Sequence, residues 1–197
     1  MPPTPRTPKG LPGYAVGRRA RCRKARDRVD RDAAAKSRNN AIMLAKRVTE
    51  LAARSRSVLP AHFRDRILPR EVRALGDAFG LTAIGVNLVT LFPGKESSLR
   101  HHHSHEDELI YVLEGALVLH THAGEEPLTA GMAAGFRAGD GNGHHLYNRS
   151  DKPATYLVVS NRHPEDQARY PDDDLAVHKG PDATYVFTRK SGAPITD

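Results

Sequence analysis

Residues 94–115, GKESSLRHHHSHEDELIYVLEG, contain four of the eleven histidines of this chain. Residues i and i+2 of a β-strand point to the same face, so His101 and His103 share one face while His102 and His105 point away. A turn through residues 104–107 then lets Glu108 enter the same space from the next strand. Histidine is the commonest side-chain metal ligand, and eight of the eleven histidines lie between residues 101 and 145. The stretch therefore predicts a metal site inside a β-structure.

Short apolar segments at regular spacing surround this stretch, and glycine-rich turns separate them, which is typical of β-sandwiches and barrels. The predicted strands are Ile84–Leu91 and residues 108–113, 117–121, 144–148, 155–159 and 184–188. Gly115 is predicted as a hairpin break between residues 108–113 and 117–121. Residues 69–80 are predicted as a short helix that ends at Gly80. The sequence has no internal repeat, so we expect one barrel.

The opening segment resembles the first motif of the cupin family. That motif is a glycine, a histidine pair one residue apart, a glutamate three or four residues later, and a glycine after six more. The corresponding residues here are Gly94, His101, His103, Glu108 and Gly115. Asp107 would satisfy a gap of three but would misplace the final glycine. The alternative pair His103 and His105 leaves only two residues before Glu108, so its spacing fails.

The segment 131–148, GMAAGFRAGDGNGHHLYN, resembles the second cupin motif. Gly131, Gly139, His144 and Asn148 match it. Arg137 stands where the motif has proline, and two extra residues lie between Gly139 and His144, which lengthens a glycine-rich loop. The resemblance makes His144 the fourth candidate metal ligand.

The resemblance implies an all-β fold, a double-stranded β-helix or jelly roll, that covers residues 60–190 and usually forms a homodimer. It also implies one divalent metal ion held by His101, His103, Glu108 and His144. Three imidazoles and a carboxylate suit Fe, Mn, Zn, Ni or Cu, and this ligand set does not choose among them. Four protein ligands leave open positions for water, substrate or dioxygen on an ion that prefers five or six.

Further residues resemble features of one group of single-domain cupins. In that group an arginine precedes the first metal histidine, an EDE triplet follows it, and a YPD segment lies further along the chain. The counterparts here are Arg100, residues 106–108 and residues 170–172. Two other side chains, Arg137 and Tyr147, are candidates for reaching the pocket, where Arg137 could hold a carboxylate or phosphate. A structural ion pair is the alternative for Arg137.

The charge is uneven along the chain. Residues 1–56 carry 16 basic and 4 acidic side chains, whereas residues 57–197 carry 14 basic and 19 acidic ones. We expect residues 1–56 to be a basic extension that is largely disordered, with a marginal helix over residues 33–55. Nucleic acid is an alternative partner for this arm, but its arginine-rich part lacks aromatic residues for stacking. Other interpretations are a translation start near Met43 or an organellar transit peptide.

The composition narrows the class of protein. A single cysteine, Cys22, excludes a disulfide framework, and no apolar run is long enough to span a membrane, so we expect a cytoplasmic protein. The first functional hypothesis is a small-molecule metalloenzyme of the dioxygenase, isomerase or lyase type. The alternative is a non-catalytic module that binds or senses a small ligand. Fold does not choose between them, and no catalytic residue is assigned from the sequence.

Overall fold

β-Strands dominate the residues that the computed structural model describes, which are 45–182 and 184–195. Short 3₁₀ turns at Val48–Glu50 and Ala61–Phe63 and short helices α1 (Arg64–Ile67) and α2 (Leu75–Ala78) accompany them. The strands are β1 (Arg70–Ala74), β2 (Ile84–Leu91), β3 (His102–His103), β4 (Glu108–Glu114), β5 (Ala116–Thr121), β6 (Gly124–Thr129), β7 (Ala133–Phe136), β8 (His145–Tyr147), β9 (Ala154–Asn161), β10 (Gln167–Tyr170), β11 (Leu175–Lys179) and β12 (Tyr185–Thr188).

The strands form three antiparallel sheets. The five-stranded sheet has the order β1-β2-β9-β4-β7, the four-stranded sheet β12-β11-β10-β3, and the three-stranded sheet β6-β5-β8. Five of the nine neighbouring pairs join strands that are not consecutive in the chain, as in a jelly roll. The predicted all-β jelly-roll fold is confirmed.

Alternation along the strands places the core inside the barrel. On β4, Ile110 and Val112 are buried while Leu109, Tyr111 and Leu113 are exposed, which is the period of two that a half-buried strand requires. The buried side chains from β2, β4, β5, β6, β8 and β9 form one apolar cluster. A second cluster lies under the four-stranded sheet and includes Leu99 and Tyr170. The core fixes which face of each strand looks inward.

Gly115 differs from its predicted role. The strands on either side of it, β4 and β5, belong to different sheets and do not pair with each other. Gly115 adopts φ +84°, and a Cβ at this position would lie 2.9 Å from the Cα and Cβ atoms of Ala154. This glycine is therefore the point where the chain leaves one sheet for another, and not the turn of a hairpin.

The helix predicted over residues 69–80 is only partly correct. Residues 70–74 form β1 and pair along their whole length with β2, and helix α2 follows. The helix ends at Ala78, two residues before the predicted Gly80. Gly80 has φ +68° and the Leu81 amide donates to the Gly76 carbonyl, as in a helix C-cap. Pairing with β2 overrides the weak helical preference of the first residues.

The described part of the predicted helix over 33–55 also differs from expectation. Residues 45–55 contain a 3₁₀ turn at Val48–Glu50, and Arg54 pairs with Val72 of β1. Residues 1–44 lie outside the described residues, so the basic extension and the domain boundary near residue 60 stay predictions. No helix in the described ranges is long and apolar enough to cross a membrane.

Candidate metal centre

The four candidate ligands come from the junction of the three sheets. His103 lies on β3 of the four-stranded sheet, and Glu108 begins β4 of the five-stranded sheet. His144 immediately precedes β8 of the three-stranded sheet, and it forms an isolated β-bridge with His101. The turn predicted between His103 and Glu108 is present. Residues that are 43 positions apart in sequence are thus brought to one place by strand pairing.

Three of the four candidate ligands converge closely. Each of His101, His103 and Glu108 offers one ligand atom, and these atoms lie within 4.8 Å of one another. His144 stands outside this group but contacts it, because its Nε2 lies 3.2 Å from Glu108 Oε1. Two atoms bound to one octahedral ion at about 2.1 Å lie about 3.0 Å apart, so this spacing suits two ligands of a shared ion. The donor set fits a borderline divalent metal.

Hydrogen bonds set the histidine tautomers so that lone pairs are free. His101 Nδ1 lies 2.8 Å from the Leu99 carbonyl oxygen, which can only accept, so Nδ1 carries the hydrogen. His103 Nδ1 lies 2.6 Å from Asp166 Oδ2. In both rings Nε2 is then left to bind a metal. Carboxylates and carbonyls commonly orient metal-binding histidines in this way.

Ring stacking fixes the planes of the His144 and His101 imidazoles. Phe136 stacks on His144 with ring centroids 3.5 Å apart and planes 3° from parallel. Tyr170 stacks on His101 with centroids 5.7 Å apart. His144 is buried and its Nδ1 has no hydrogen-bond partner among the described residues. Apolar and aromatic neighbours therefore hold both rings without occupying their ligand atoms.

The charge states of His101 and of the two nearby carboxylates also suit metal binding. Burial, with further contributions from His144 and His103, lowers the pKa of His101 to about 3, so its imidazole is neutral. Burial alone would raise the pKa of Glu108, but the hydrogen bond to His144 and the nearby histidines outweigh it and lower the pKa. Asp166 behaves similarly: burial opposes its charge, yet the bond to His103 and backbone amides lower its pKa to about 2. The site offers a neutral imidazole beside ionised carboxylates.

The residues that resemble features of one cupin subgroup, Arg100 and the EDE and YPD segments, lie around the site. Arg100 forms a bidentate ion pair with Asp172, with N–O distances of 2.7 and 2.5 Å. Tyr170, from the same YPD segment, packs on His101. Glu106, from the EDE triplet, accepts a hydrogen bond from Lys179 Nζ at 2.6 Å. These contacts brace the loop that carries His101 and His103.

A cavity of about 230 Å³ opens next to His101 and Glu108. The apolar part of its lining consists of Val72, Val89, Ile110 and Val158. The polar side chains in its lining are those of Arg70, Asn87, Ser97, Ser98 and Tyr156. Ligand pockets for drug-sized molecules run from about 300 to 1,000 Å³, so this cavity suits a small metabolite.

Two cavity candidates from the sequence do not reach it. Arg137 is exposed, Tyr147 lies under the Arg149 guanidinium, and neither residue lines the cavity. The arginine that lines it is Arg70, which lies in the segment expected to be helical. Asp166 was also missed, because the pairing of β10 with β3 brings it to His103 from 63 residues away. No local sequence signal marks either residue.

Comparison with known proteins is decisive for the family. A cupin-domain family model matches residues 87–160. The chain is 45% identical to a sugar phosphate isomerase of the cupin superfamily from Silicibacter pomeroyi, with a TM-score of 0.74 over 77% of this chain and 96% of that one. This chain belongs to the cupin superfamily. Cupins commonly bind a metal, and in this cupin His101, His103 and Glu108 form a group that can hold one.

More distant structures share the fold of this cupin. A protein from Acidithiobacillus ferrooxidans that has been proposed to be a sugar phosphate isomerase is 26% identical, with a TM-score of 0.58 over 71% of this chain and 96% of that one. The polyketide cyclase RemF from Streptomyces resistomycificus is 20% identical, with a TM-score of 0.52 over 63% of this chain and 83% of that one, and shows the fold alone. No curated protein sequence is significantly similar to the chain.

Proposed function

We propose that this cupin is a metal-dependent enzyme that isomerises a phosphorylated sugar. The observation that carries the proposal is the group of His101, His103 and Glu108 beside a small cavity, in a chain 45% identical to a protein named as a sugar phosphate isomerase. His144 completes the proposed ligand set through its contact with Glu108. Of the three reaction types expected from the sequence, isomerisation is the one that this relative favours.

The proposed ligands make different contributions to metal binding. When bound, the divalent ion supplies Lewis-acid polarisation of adjacent carbonyl and hydroxyl oxygens. His101 and His103 present Nε2 because their Nδ1 atoms are hydrogen-bonded elsewhere. Glu108 supplies a negative charge that offsets that of the ion. The identity of the metal stays open among Fe, Mn, Zn, Ni and Cu.

The cavity residues favour binding of a small polyol. Asn87 and Ser98 offer donors and acceptors to sugar hydroxyls. Burial raises the pKa of Tyr156, so its hydroxyl stays protonated and can donate a hydrogen bond. The valines and Ile110 limit the water in the cavity, which strengthens each polar contact.

An isomerase assay in deuterated water tests the proposal. The metal-loaded protein is incubated with a panel of aldose and ketose phosphates, and products and deuterium incorporation at the carbon next to the carbonyl are followed by NMR. We expect interconversion of at least one pair, abolished in His101→Ala. The matched control is His62→Ala, since His62 packs on Phe63 outside the site. Metal-loaded protein that turns over none of the sugars would refute the isomerase proposal.

The same panel separates the alternatives. A non-catalytic binding cupin would bind one of these compounds, detected by calorimetry, without converting it. A dioxygenase would instead consume oxygen with an organic acid or phenolic substrate. The prediction of a cytoplasmic location and the alternative of nucleic acid as a partner of the basic arm are separate from this assay and stay untested.

A further inference from the structure

Arg70 is a cation on the inner face of the barrel. Its strand partner in β2 is Leu91, which is fully buried in the apolar core, and residues paired directly across strands share a face. Leu91 in turn pairs with Ala154 of β9, which is also fully buried. The Arg70 side chain therefore enters the barrel next to core residues, where an arginine is costly unless its charge is compensated.

The compensation within the protein is incomplete. Arg70 Nη1 donates to the Ser97 carbonyl oxygen, but Nε is buried and has no partner. Among the described residues no carboxylate lies within 4.0 Å of its guanidinium, whereas Arg66, Arg100 and Arg149 each pair with one. Burial lowers the pKa of Arg70, which shows that its charge lies in an unfavourable environment. The Arg70 Nε–H thus has no acceptor among the described residues.

Arg70 lines the same cavity as two of the proposed metal ligands, His101 and Glu108. The two ends of the cavity lie apart along the sheet. Arg70 pairs with Leu91 of β2, which pairs with Ala154 of β9. Glu108 pairs directly with Ser160 of β9. Six residues of strand correspond to about 20 Å, so the two backbone positions are well separated and both side chains reach inward.

We propose that Arg70 is the anion-binding residue of this cavity and receives the phosphate of a phosphorylated small molecule whose other end lies at His101 and Glu108. This inference rests on the function proposed above, since it names the residue that would recognise the phosphate. A guanidinium can donate two parallel hydrogen bonds to phosphate oxygens, and Nε with one Nη forms such a pair.

A structural role is the competing explanation. In that case Arg70 would only hold the Ser97 carbonyl and so position the loop that leads to His101. Such a role needs one donor and predicts no affinity for anions. The matched control is Arg73, which lies on the outer face of the same strand and pairs with Glu71. Its replacement removes the same charge from the same strand without touching the cavity.

Binding of inorganic phosphate and of a sugar phosphate to the metal-free full-length chain tests the inference. Calorimetry should show that Arg70→Met weakens binding of both at least about tenfold, while Arg73→Met leaves it unchanged. Arg70→Lys should retain part of the affinity, because it keeps the charge but loses the bidentate geometry. Equal affinity in Arg70→Met and wild type would overturn the inference, as would wild-type protein that binds neither probe.

A second measurement needs no variant. In wild-type protein the Nε–H resonance of Arg70 should shift when either probe is added and stay in place when the unphosphorylated sugar is added. A resonance that is indifferent to phosphate would also overturn the inference, even if Arg70→Met fails to fold. Failure of the isomerase assay with intact phosphate binding would refute the proposed function alone. Isomerase activity that survives in Arg70→Met with an unchanged KM would refute the Arg70 inference alone.

Discussion

At the scale of single residues, the proposed metal ligands depend on neighbours that hold them. Asp166 is buried and accepts hydrogen bonds from His103 Nδ1 and from the backbone amides of His105 and Glu106. It therefore fixes both the ring of His103 and the turn that leads to Glu108. Loss of an outer carboxylate of this kind generally weakens metal binding without removing a ligand.

We predict that Asp166→Asn lowers metal affinity by about 10- to 100-fold, because an amide offers only one acceptor oxygen, whereas the two carboxylate oxygens accept separately from His103 Nδ1 and from two backbone amides. Competition titration with a chromogenic chelator measures the change. Asp174→Asn is the matched control, since Asp174 is exposed and pairs with Arg189. Unchanged affinity in Asp166→Asn would show that His103 is not a ligand held by this carboxylate.

The sequence predicted the residues whose relation is local and missed those whose relation is distant. His101, His103 and Glu108 follow from the two-residue period of a strand and one turn. The position of Asp166 at the site depends on the pairing of β10 with β3, and that of Arg70 depends on the pairing of β1 with β2. No local sequence pattern predicts either pairing. Arg137 was a candidate for the pocket only because of its place in a motif, and its side chain is exposed.

At the scale of elements, Gly115 controls the passage from the five-stranded to the three-stranded sheet. Gly115→Ala should destabilise the protein by about 1–3 kcal/mol more than Gly131→Ala, because overpacking adds to the cost of a positive φ. Both glycines have similar angles, φ +84° and +86°, but a Cβ at Gly131 would meet nothing within 4 Å. Urea unfolding of both variants measures the difference, and equal losses would show that the contact with Ala154 relaxes freely.

The elements that the sequence predicted well are the ones with strong apolar alternation. The bounds of β2 were predicted without error, and β4, β5 and β9 within a few residues. Residues 70–74, by contrast, have mixed propensities and become a strand because β2 offers an edge to pair with. The type of an element could thus be predicted where the apolar alternation is strong. Where it is weak, pairing with a neighbouring strand determined the structure.

At the scale of the whole molecule, the outer face of the five-stranded sheet is an apolar surface. Strand register aligns Val86, Val159 and Leu109 in one row and Leu88, Leu157 and Tyr111 in the next. Leu109 and Leu113 are about half exposed, at 48% and 47%. Contiguous apolar patches of this kind usually mark an interface. The same face of a second copy would be complementary to it, as in a two-fold dimer.

We predict that the chain is a homodimer through this face and that Leu109→Lys/Leu113→Lys converts it to a monomer. The introduced ammonium groups would have to be desolvated in the interface. Sedimentation velocity measures the outcome. Leu81→Lys is the matched control, because Leu81 is 41% exposed but lies outside the sheet. A dimer that survives the double substitution would place the interface elsewhere, and a monomeric wild type would refute the homodimer.

We propose that one divalent metal ion is held by His101, His103, Glu108 and His144. Elemental analysis by inductively coupled plasma mass spectrometry, on protein produced without a histidine tag, tests it most directly. We expect about one metal ion per chain, lost in His101→Ala/His144→Ala while circular dichroism shows the fold retained. Wild-type protein that stays metal-free after incubation with each candidate ion, or a double variant that keeps its full metal content, would contradict it.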